Sequence, residues 1–258
     1  MKVVRTIAEA RVALEPLRAG SIGLVPTMGS LHEGHLALLR AARAENDTVL
    51  MSLFVNPAQF GDEADLARYP RDEGHDLDIA READVDLVFA PSTEEMYPSG
   101  FQTWVDVTEL GAILEGRFRP GHFKGVATVV LKLLNVVDPT RAYFGQKDAQ
   151  QVEVIRRMIR DLALDVELRV VPTVRDEDGL ALSSRNVLLS PEDRATACAL
   201  PLALATRDRD RALARLAEAG LEIDYVEVAD FNPPTLVGAA RVGSTRLIDN
   251  IPLEGETV

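Results

Sequence analysis

The sequence predicts an α/β protein whose main domain is a doubly wound, mostly parallel sheet. Three observations support this fold class. Short apolar runs alternate with helical patterns through the first two thirds of the chain, as is typical of βα units. Beyond about Thr173 the pattern changes to helices and then three strand-like runs, which indicate a smaller α+β domain. Glycines and polar side chains concentrate where predicted strands lead into helices, the edge at which open α/β sheets bind ligands.

The order of the predicted strands and helices indicates two domains. Residues 1–173 are predicted to form a Rossmann-like domain, and residues 174–258 a second domain with a small antiparallel sheet. In the first domain, strands are expected at 22–26, 48–55, 87–90, 141–144 and 166–171, and helices at 34–44, 72–83, 126–137 and 148–162. The last helix is predicted by a stripe at helical spacing, formed by Val152, Ile155, Ile159 and Leu162. Ser190 and Pro191 are helix-start signals, so helices at 191–207 and 210–219 precede strands at 223–228, 234–241 and 245–251.

Composition narrows the class of protein. A chain of 258 residues can bury a full core, and no apolar run approaches the roughly 20 residues of a membrane span. The first residues lack the apolar region of a signal peptide, and the single cysteine, Cys198, excludes an internal disulfide. A net charge of −13 argues against nucleic-acid binding and requires a local cationic pocket for any anionic substrate. We therefore expect a cytoplasmic protein with no nucleic-acid or membrane partner.

The turn after the first strand is the most informative segment. Residues 26–35 read Pro-Thr-Met-Gly-Ser-Leu-His-Glu-Gly-His and end where the first helix begins. A helix N-terminus offers N–H groups and a positive dipole end, which suit phosphate. His32 and His35 are three residues apart, so they share one helical face. Two imidazoles beside an anion site indicate phosphate chemistry.

Three other interpretations of this turn remain open. Gly29 and Gly34 have the glycine spacing of a P-loop, but His35 and Leu36 replace its lysine and hydroxyl residue. The His-Glu-Gly-His run is similar to a zinc protease motif, which instead requires histidines four apart. The third interpretation is a pair of surface histidines near a helix cap.

Later turns carry further candidates. Asn56 and Gln59 follow the second predicted strand, where an amide can orient a hydroxyl or a carboxylate, although an Asn-Pro loop alone also explains them. Gly145 permits close backbone approach, and Lys147 supplies a compact charge for a phosphate. Asp148 is a suitable N-cap, and Gln151 faces either the same cleft or solvent.

The second domain and a Gly/Pro-rich loop add positive charge. Ser183, Ser184 and Arg185 form a plausible phosphate clamp on a loop, although a lone Ser-Ser-Arg run is a weak signal. Arg117, Arg119 and His122 lie in a segment that either closes over a ligand or is simply surface.

Taken in order, these motifs resemble the pantothenate synthetase (pantoate–β-alanine ligase) family over almost the whole chain. The matching segments are residues 26–35, 54–59, 69–71, 96–98, 119–123, 144–151, 171–175, 183–186 and 246–250. The resemblance implies nucleotidyltransferase signatures at 32–35 and, loosely, at 182–185. It implies an ATP-dependent condensation of pantoate with β-alanine through pantoyl adenylate, with release of pyrophosphate and AMP. It also implies Mg²⁺, a homodimer and a lid-like second domain.

The resemblance assigns roles to residues. The implied ATP ligands are Met28, Gly29, Ser30, Leu31, His32, Glu33, Gly34, His35, Gly145, Gln146, Lys147, Asp148, Val174, Leu182, Ser183, Ser184 and Arg185. The implied catalytic residues are His35, His32 and Lys147, with His35 also the candidate proton donor. Pantoate and β-alanine would be held by Gln59, Gln151, Asn56, Tyr69 and Arg119. Asp76 is the implied magnesium ligand.

Three residues depart from the family pattern: Leu182 replaces a methionine, Ala149 replaces an aromatic residue, and His75 replaces an acidic one. The remaining alternatives are an adenylyl- or cytidylyltransferase that stops after nucleotide transfer, a catalytically silent nucleotide-binding protein, and a tRNA-binding synthetase relative. The acidic net charge disfavours the last of these.

Overall fold

The computed structural model describes residues 1–253, except for the side chain of Glu63. The chain forms two compact units. The first comprises Met1–Gly145 and Gln151–Val171, and the second comprises Gln146–Gln150 and the chain from Pro172 onward. The sequence pattern placed a boundary near Thr173 but did not indicate that the short segment around Lys147 belongs with the second unit.

The first unit is built on a six-stranded sheet in which every pairing is parallel. Its strands are β1 (Lys2–Val4), β2 (Ile22–Thr27), β3 (Thr48–Leu53), β4 (Leu87–Phe89), β5 (Arg141–Gly145) and β6 (Glu167–Val171). Their order is β1-β4-β3-β2-β5-β6, so the chain winds outward in opposite directions from β2 and β5. In such sheets the switch point, here between β2 and β5, is where ligands bind at the carboxyl ends of the strands.

Helices cover both faces of this sheet. In chain order, the helices within residues 1–253 are α1 (Ile7–Leu14), α2 (Glu33–Glu45), α3 (Glu63–Arg68), α4 (Glu73–Glu82), α5 (Thr93–Met96), α6 (Glu115–Phe118), α7 (His122–Val137), α8 (Ala149–Asp161), α9 (Pro191–Ala197), α10 (Ala199–Leu204) and α11 (Arg209–Glu218). Alternate residues of one strand enter different cores: Leu50 packs with α1, α7 and α8, whereas Val49 and Met51 pack with α2 and α4. Two hydrophobic layers on one sheet confirm the doubly wound prediction.

The second unit contains a three-stranded antiparallel sheet, as predicted. Its strands are β7 (Glu222–Ala229), β8 (Thr235–Val242) and β9 (Thr245–Pro252), in the order β7-β8-β9. Leu200, Leu204, Leu216 and Leu236 form its core with neighbouring apolar residues, so α10 and α11 pack on the same hydrophobic cluster as the sheet.

Several elements differ from their predicted bounds. The predicted helix 191–207 is divided at Cys198 into α9 and α10, and α7 begins four residues earlier than predicted. The sequence pattern did not predict β1, α1 or the short helices α3, α5 and α6, which have few residues to display a period. No helix of residues 1–253 is long and apolar enough to cross a membrane.

Candidate active site

The turn between β2 and α2 is a tight, strained loop. Gly29 and Ser30 both have positive φ, 81° and 53°. A Cβ at Gly29 would stand 2.6 Å from Oδ2 of Asp76 and 3.0 Å from Cδ1 of Leu53. Glycine is therefore required here both for its left-handed conformation and for the close approach of neighbouring side chains.

A buried carboxylate holds this turn from α4. Asp76 accepts hydrogen bonds from the Ser30 N–H at 3.0 Å and from the Leu31 N–H at 2.8 Å, one with each carboxylate oxygen. Its side chain is 1% exposed. Hydrogen bonds to a charged acceptor are among the stronger ones in proteins, so Asp76 fixes the backbone that leads to the histidines.

The two histidines are brought together and oriented by the backbone. Their ring centroids are 4.2 Å apart. Nδ1 of His32 accepts the Gly34 N–H at 3.1 Å, and Nδ1 of His35 accepts the His32 N–H at 3.2 Å. An imidazole nitrogen that accepts a hydrogen bond carries no proton, so each neutral ring has its proton on Nε2. The turn thus holds two Nε2–H donors in fixed orientation.

Part of the backbone at the predicted anion site is hydrogen-bonded within the protein. The sequence predicted N–H groups directed at a phosphate. In the structure, the N–H groups of Ser30 and Leu31 bind Asp76, and that of Gly34 binds the His32 ring. The protein itself therefore satisfies these donors. Electrostatic stabilisation of an anion remains with the imidazoles and the dipole of α2.

The magnesium role of Asp76 stays a prediction. Both oxygens of its buried carboxylate accept a backbone N–H group, and each oxygen of a carboxylate has a second acceptor site. Within residues 1–253, no group of three or more His, Cys, Asp or Glu side chains is arranged to hold a metal. Sequence reasoning missed the backbone role of Asp76, because nothing in the spacing links residue 76 to residues 30 and 31.

Asn56 and Gln59 lie in a second turn, after β3, and are joined by their side chains. Asn56 Nδ2 donates to Gln59 Oε1 at 3.0 Å and to the Gly125 carbonyl at 3.2 Å. The Tyr97 hydroxyl donates to Asn56 Oδ1 at 2.8 Å, and burial raises the pKa of Tyr97 to about 12. Since Gln59 accepts through Oε1, its amide donors point away from Asn56 and can serve a substrate carboxylate or hydroxyl.

Helix α7 anchors the backbone of the same turn. His122 Nδ1 lies 2.8 Å from the Gln59 carbonyl, and its Nε2 lies 3.2 Å from Nη1 of Arg119. A carbonyl can only accept and a guanidinium can only donate, so His122 is neutral with its proton on Nδ1. Gly125 is essential to this approach, because a Cβ there would stand 2.2 Å from the Ala58 carbonyl oxygen.

The structure therefore unites three predicted substrate residues, Asn56, Gln59 and Arg119. Tyr69 packs edge-on against Phe60, with ring centroids 5.7 Å apart. Gln151 lies in the first turn of α8 and is partly buried. The sequence did not predict the parts played by Tyr97 and His122, although His122 stood beside Arg119 in a segment that it did single out.

In the second unit, Lys147 lies in a 3-10 turn formed by Gln146–Asp148, immediately after β5. Its Nζ is 3.5 Å from Oδ1 of Asp148. The lysine side chain is 20% exposed, so its charge is partly desolvated but accessible. Helix α8 begins at Ala149, one residue later than the predicted start.

The remaining predicted ATP ligands form a hairpin-like loop in the second unit. The Leu182 N–H donates to the Val174 carbonyl at 3.0 Å, which brings these two residues together. Ser183 Oγ accepts the Arg185 N–H at 3.3 Å, and its carbonyl accepts the Asn186 N–H at 2.9 Å. The loop that carries both serines and Arg185 is thus folded on itself.

A parallel sheet with a strand–helix turn beside its switch point is the arrangement in which many α/β proteins bind nucleotide phosphates, and here that turn carries the two oriented histidines. A family profile described as pantoate-beta-alanine ligase matches residues 2–252. The chain belongs to the pantoate–beta-alanine ligase family.

Curated relatives agree over nearly their full lengths. The chain is 54% identical to the pantothenate synthetase of Roseiflexus sp. strain RS-1, over 98% of this chain and 100% of that protein. It is 51% identical to the pantothenate synthetase of Moorella thermoacetica, over 98% and 99% of the two chains.

Solved structures give the same result. The pantothenate synthetase of Thermus thermophilus superposes with a TM-score of 0.92 at 48% identity, covering 99% of this chain and 100% of that one. The pantoate–beta-alanine ligase of Francisella tularensis, described as complexed with beta-gamma ATP and beta-alanine, gives 0.90 at 36% identity, covering 99% and 98%.

Proposed function

We propose that this chain condenses (R)-pantoate with β-alanine at the expense of ATP, forming pantothenate. In the first step, a pantoate carboxylate oxygen attacks the α-phosphorus of ATP, and the bond to pyrophosphate breaks. In the second, the β-alanine amine attacks the acyl carbon of pantoyl adenylate, the bond to AMP breaks, and the amine loses a proton. Membership of the ligase family and the bound ligands named for the Francisella relative support this proposal.

The oriented histidine pair is the observation that carries the first step. Attack of a carboxylate on a polyphosphate brings anions together, so preorganised donors stabilise the transition state. We assign His32 and His35 to this task because both rings are fixed by backbone N–H groups. We keep His35 as the candidate proton donor.

Further ATP ligands are assigned in two groups. In the first unit they are Met28, Gly29, Ser30, Leu31, Glu33 and Gly34. These residues belong to the turn between β2 and α2 that carries His32 and His35, here called the histidine turn. Gly145, the last residue of β5, also belongs to the first unit. In the second unit they are Gln146, Lys147, Asp148, Val174, Leu182, Ser183, Ser184 and Arg185. Lys147 would supply a point charge to the phosphates. Mg²⁺ would enter the reaction as part of the Mg–ATP substrate.

The turn after β3 that carries Asn56 and Gln59, here called the amide turn, is assigned to the organic substrates. Gln59 presents amide donors while its own carbonyl oxygens are engaged, so it suits a small hydroxy acid. Asn56 and Arg119 hold Gln59 in place, and Gln151 and Tyr69 remain candidate contacts. A homodimer, a lid-like role for the second unit and a cytoplasmic location, where ATP is abundant, are further parts of the proposal.

The test measures pyrophosphate and AMP from Mg–ATP and pantoate, with and without β-alanine. We expect pantoate-dependent pyrophosphate release without β-alanine, and AMP with pantothenate only when β-alanine is added. Absence of pantoate-dependent pyrophosphate from folded protein would contradict the proposal. A stable nucleotide conjugate that β-alanine does not consume would favour an adenylyltransferase instead.

A further inference from the structure

A buried side chain of strand β9, Asn250, is hydrogen-bonded to the turn that carries Lys147. Asn250 Nδ2 donates to the carbonyl of Gln146 and to the carbonyl of Lys147, both at 2.9 Å. Its Oδ1 accepts from Nε2 of Gln146 at 3.2 Å. One amide therefore makes three hydrogen bonds to two consecutive residues of the turn.

The chemistry of these partners fixes the orientation of the amide. Backbone carbonyls can only accept, so the NH₂ group of Asn250 must face them. Its two N–H bonds match the two carbonyls, and the opposite side of the amide is left for the Gln146 donor. Asn250 is 4% exposed, so water cannot easily replace these bonds once the amide is lost.

The strand segment that carries Asn250 is itself held in place. The preceding residue, Asp249, is 3% exposed and accepts two hydrogen bonds from Arg175, at 2.7 and 2.9 Å. The Asn250 N–H also donates to Asp249 Oδ1 at 2.8 Å. A bidentate arginine–carboxylate pair is geometrically specific, so the Asn250 amide projects from a rigid support.

We propose that Asn250 is a positioning residue for Lys147. It acts on adenylate formation only through the backbone of the turn Gln146–Asp148, here called the lysine turn. The inference rests on the proposed function of Lys147. Nothing in the geometry requires Asn250 to touch a substrate. Its effect on the reaction is to keep the Lys147 main chain where the ammonium group meets the phosphates.

The test is single-turnover pyrophosphate release from Mg–ATP and pantoate by purified variants. Asn250→Asp is nearly isosteric but places an oxygen against two carbonyl oxygens, whereas Asn250→Ala only removes the amide. We expect adenylation to slow by about tenfold to a hundredfold, more for Asp than for Ala. The KM for β-alanine in the second step should not change.

A double-mutant cycle with Lys147→Ala separates positioning from general support. If Asn250 acts through Lys147, the double variant Lys147→Ala/Asn250→Ala is as slow as Lys147→Ala alone. Effects that multiply instead would overturn the proposal. Leu247→Val, in the core of the same unit and on the same strand, is the matched control: it should lower the melting temperature without slowing adenylation.

Other outcomes remain distinguishable. Wild-type protein without pantoate-dependent pyrophosphate release contradicts the proposed function. If the wild-type protein is active and a folded Asn250→Asp variant forms adenylate at an unchanged rate, the positioning role of Asn250 is contradicted and the proposed function is not. If the Asp variant fails to fold, the Ala variant and its double-mutant cycle give the answer.

Discussion

The turns after β2 and β5 hold the side chains that we assign to the phosphates in different ways. The histidine turn is largely self-contained, because His32 and His35 are oriented by N–H groups two and three residues away. The lysine turn depends on Asn250, 103 and 104 residues further along the chain. A motif whose hydrogen-bond partners are close in sequence can be recognised from residue spacing. When the partners are distant in sequence, spacing reveals the functional residue but not the residues that support it.

Lys147→Ala should give the largest effect, because the lysine turn carries one cation whereas the histidine turn carries two imidazoles. We expect adenylation to slow by about a thousandfold, the scale of losing a charged contact in the transition state. Single-turnover pyrophosphate release measures it. The exposed Lys2→Ala variant is the control, and an unchanged rate for Lys147→Ala would remove the lysine from the mechanism.

His35→Ala should follow, at about a hundredfold lower turnover, since His32 keeps part of the donor set. The free energy of unfolding should change much less than the activation free energy, which urea unfolding and steady-state kinetics compare directly. His75→Ala, an exposed histidine at the start of α4, is the matched control. A His35→Ala variant that is unfolded would leave the catalytic role without support.

Asp76→Asn tests how far the histidine turn is truly local. The amide keeps one acceptor but directs an NH₂ group at the second backbone N–H, so one buried donor loses its partner. If Asp76 acts only on the backbone of the turn, we expect kcat/KM for ATP to fall by about tenfold at every Mg²⁺ concentration. A change in the Mg²⁺ dependence would support the metal role predicted for Asp76. Asp78→Asn on the same helix, whose exposed carboxylate pairs with Arg81, is the control.

The smallest effect should come from Tyr97→Phe, compared with Tyr143→Phe. Both hydroxyls bond to an asparagine, Tyr97 to Asn56 and Tyr143 to Asn46. Each change should cost about 1 kcal/mol of stability. Only Tyr97→Phe should raise the KM for pantoate, by about threefold, because Asn46 has no part in the amide turn. Equal KM values would show that Asn56 does not need Tyr97.

The same tyrosines make a pH prediction. Burial raises the pKa of both phenols to about 12, above the unfolded value near 10. A raised folded pKa means that the stabilisation is complete below pH 10 and is lost as the pH rises toward 12. The free energy of unfolding should therefore fall over that window, and less steeply in either phenylalanine variant.

The fold could be predicted from the sequence wherever an element was long enough to show a period. The strands around Leu24 and Leu50 read as apolar runs because helices cover both faces of a parallel sheet. Strand β1 and helix α5, with three and four residues, show no period. The break at Cys198 was not predicted, because Cys198 itself keeps helical dihedral angles, with φ −62° and ψ −14°.

The candidate site was predictable where partners are close in sequence. The pair His32 and His35 and the pair Asn56 and Gln59 each lie three residues apart, and the structure joins both. The supports of these residues, such as Asp76, His122 and Asn250, come from other elements and leave no mark on local spacing. His122 and Asn250 were recoverable only as members of matched segments, and Asp76 only as the implied magnesium ligand, in no case with the structural reason for the residue.

Gly29 carries a consequence for how this sequence can change. Its φ of 81° and the 2.6 Å approach of Asp76 are independent obstacles to any side chain. Shortening Asp76 would clear space at position 29, yet it would leave both the left-handed backbone and Leu53 in the way, and would release the Ser30 and Leu31 N–H groups. A genetic search for second-site suppressors of Gly29→Ala should therefore find none at position 76. Neither Gly29 nor Asp76 can be replaced to compensate for a change in the other, so we expect both residues to be kept together as the sequence changes.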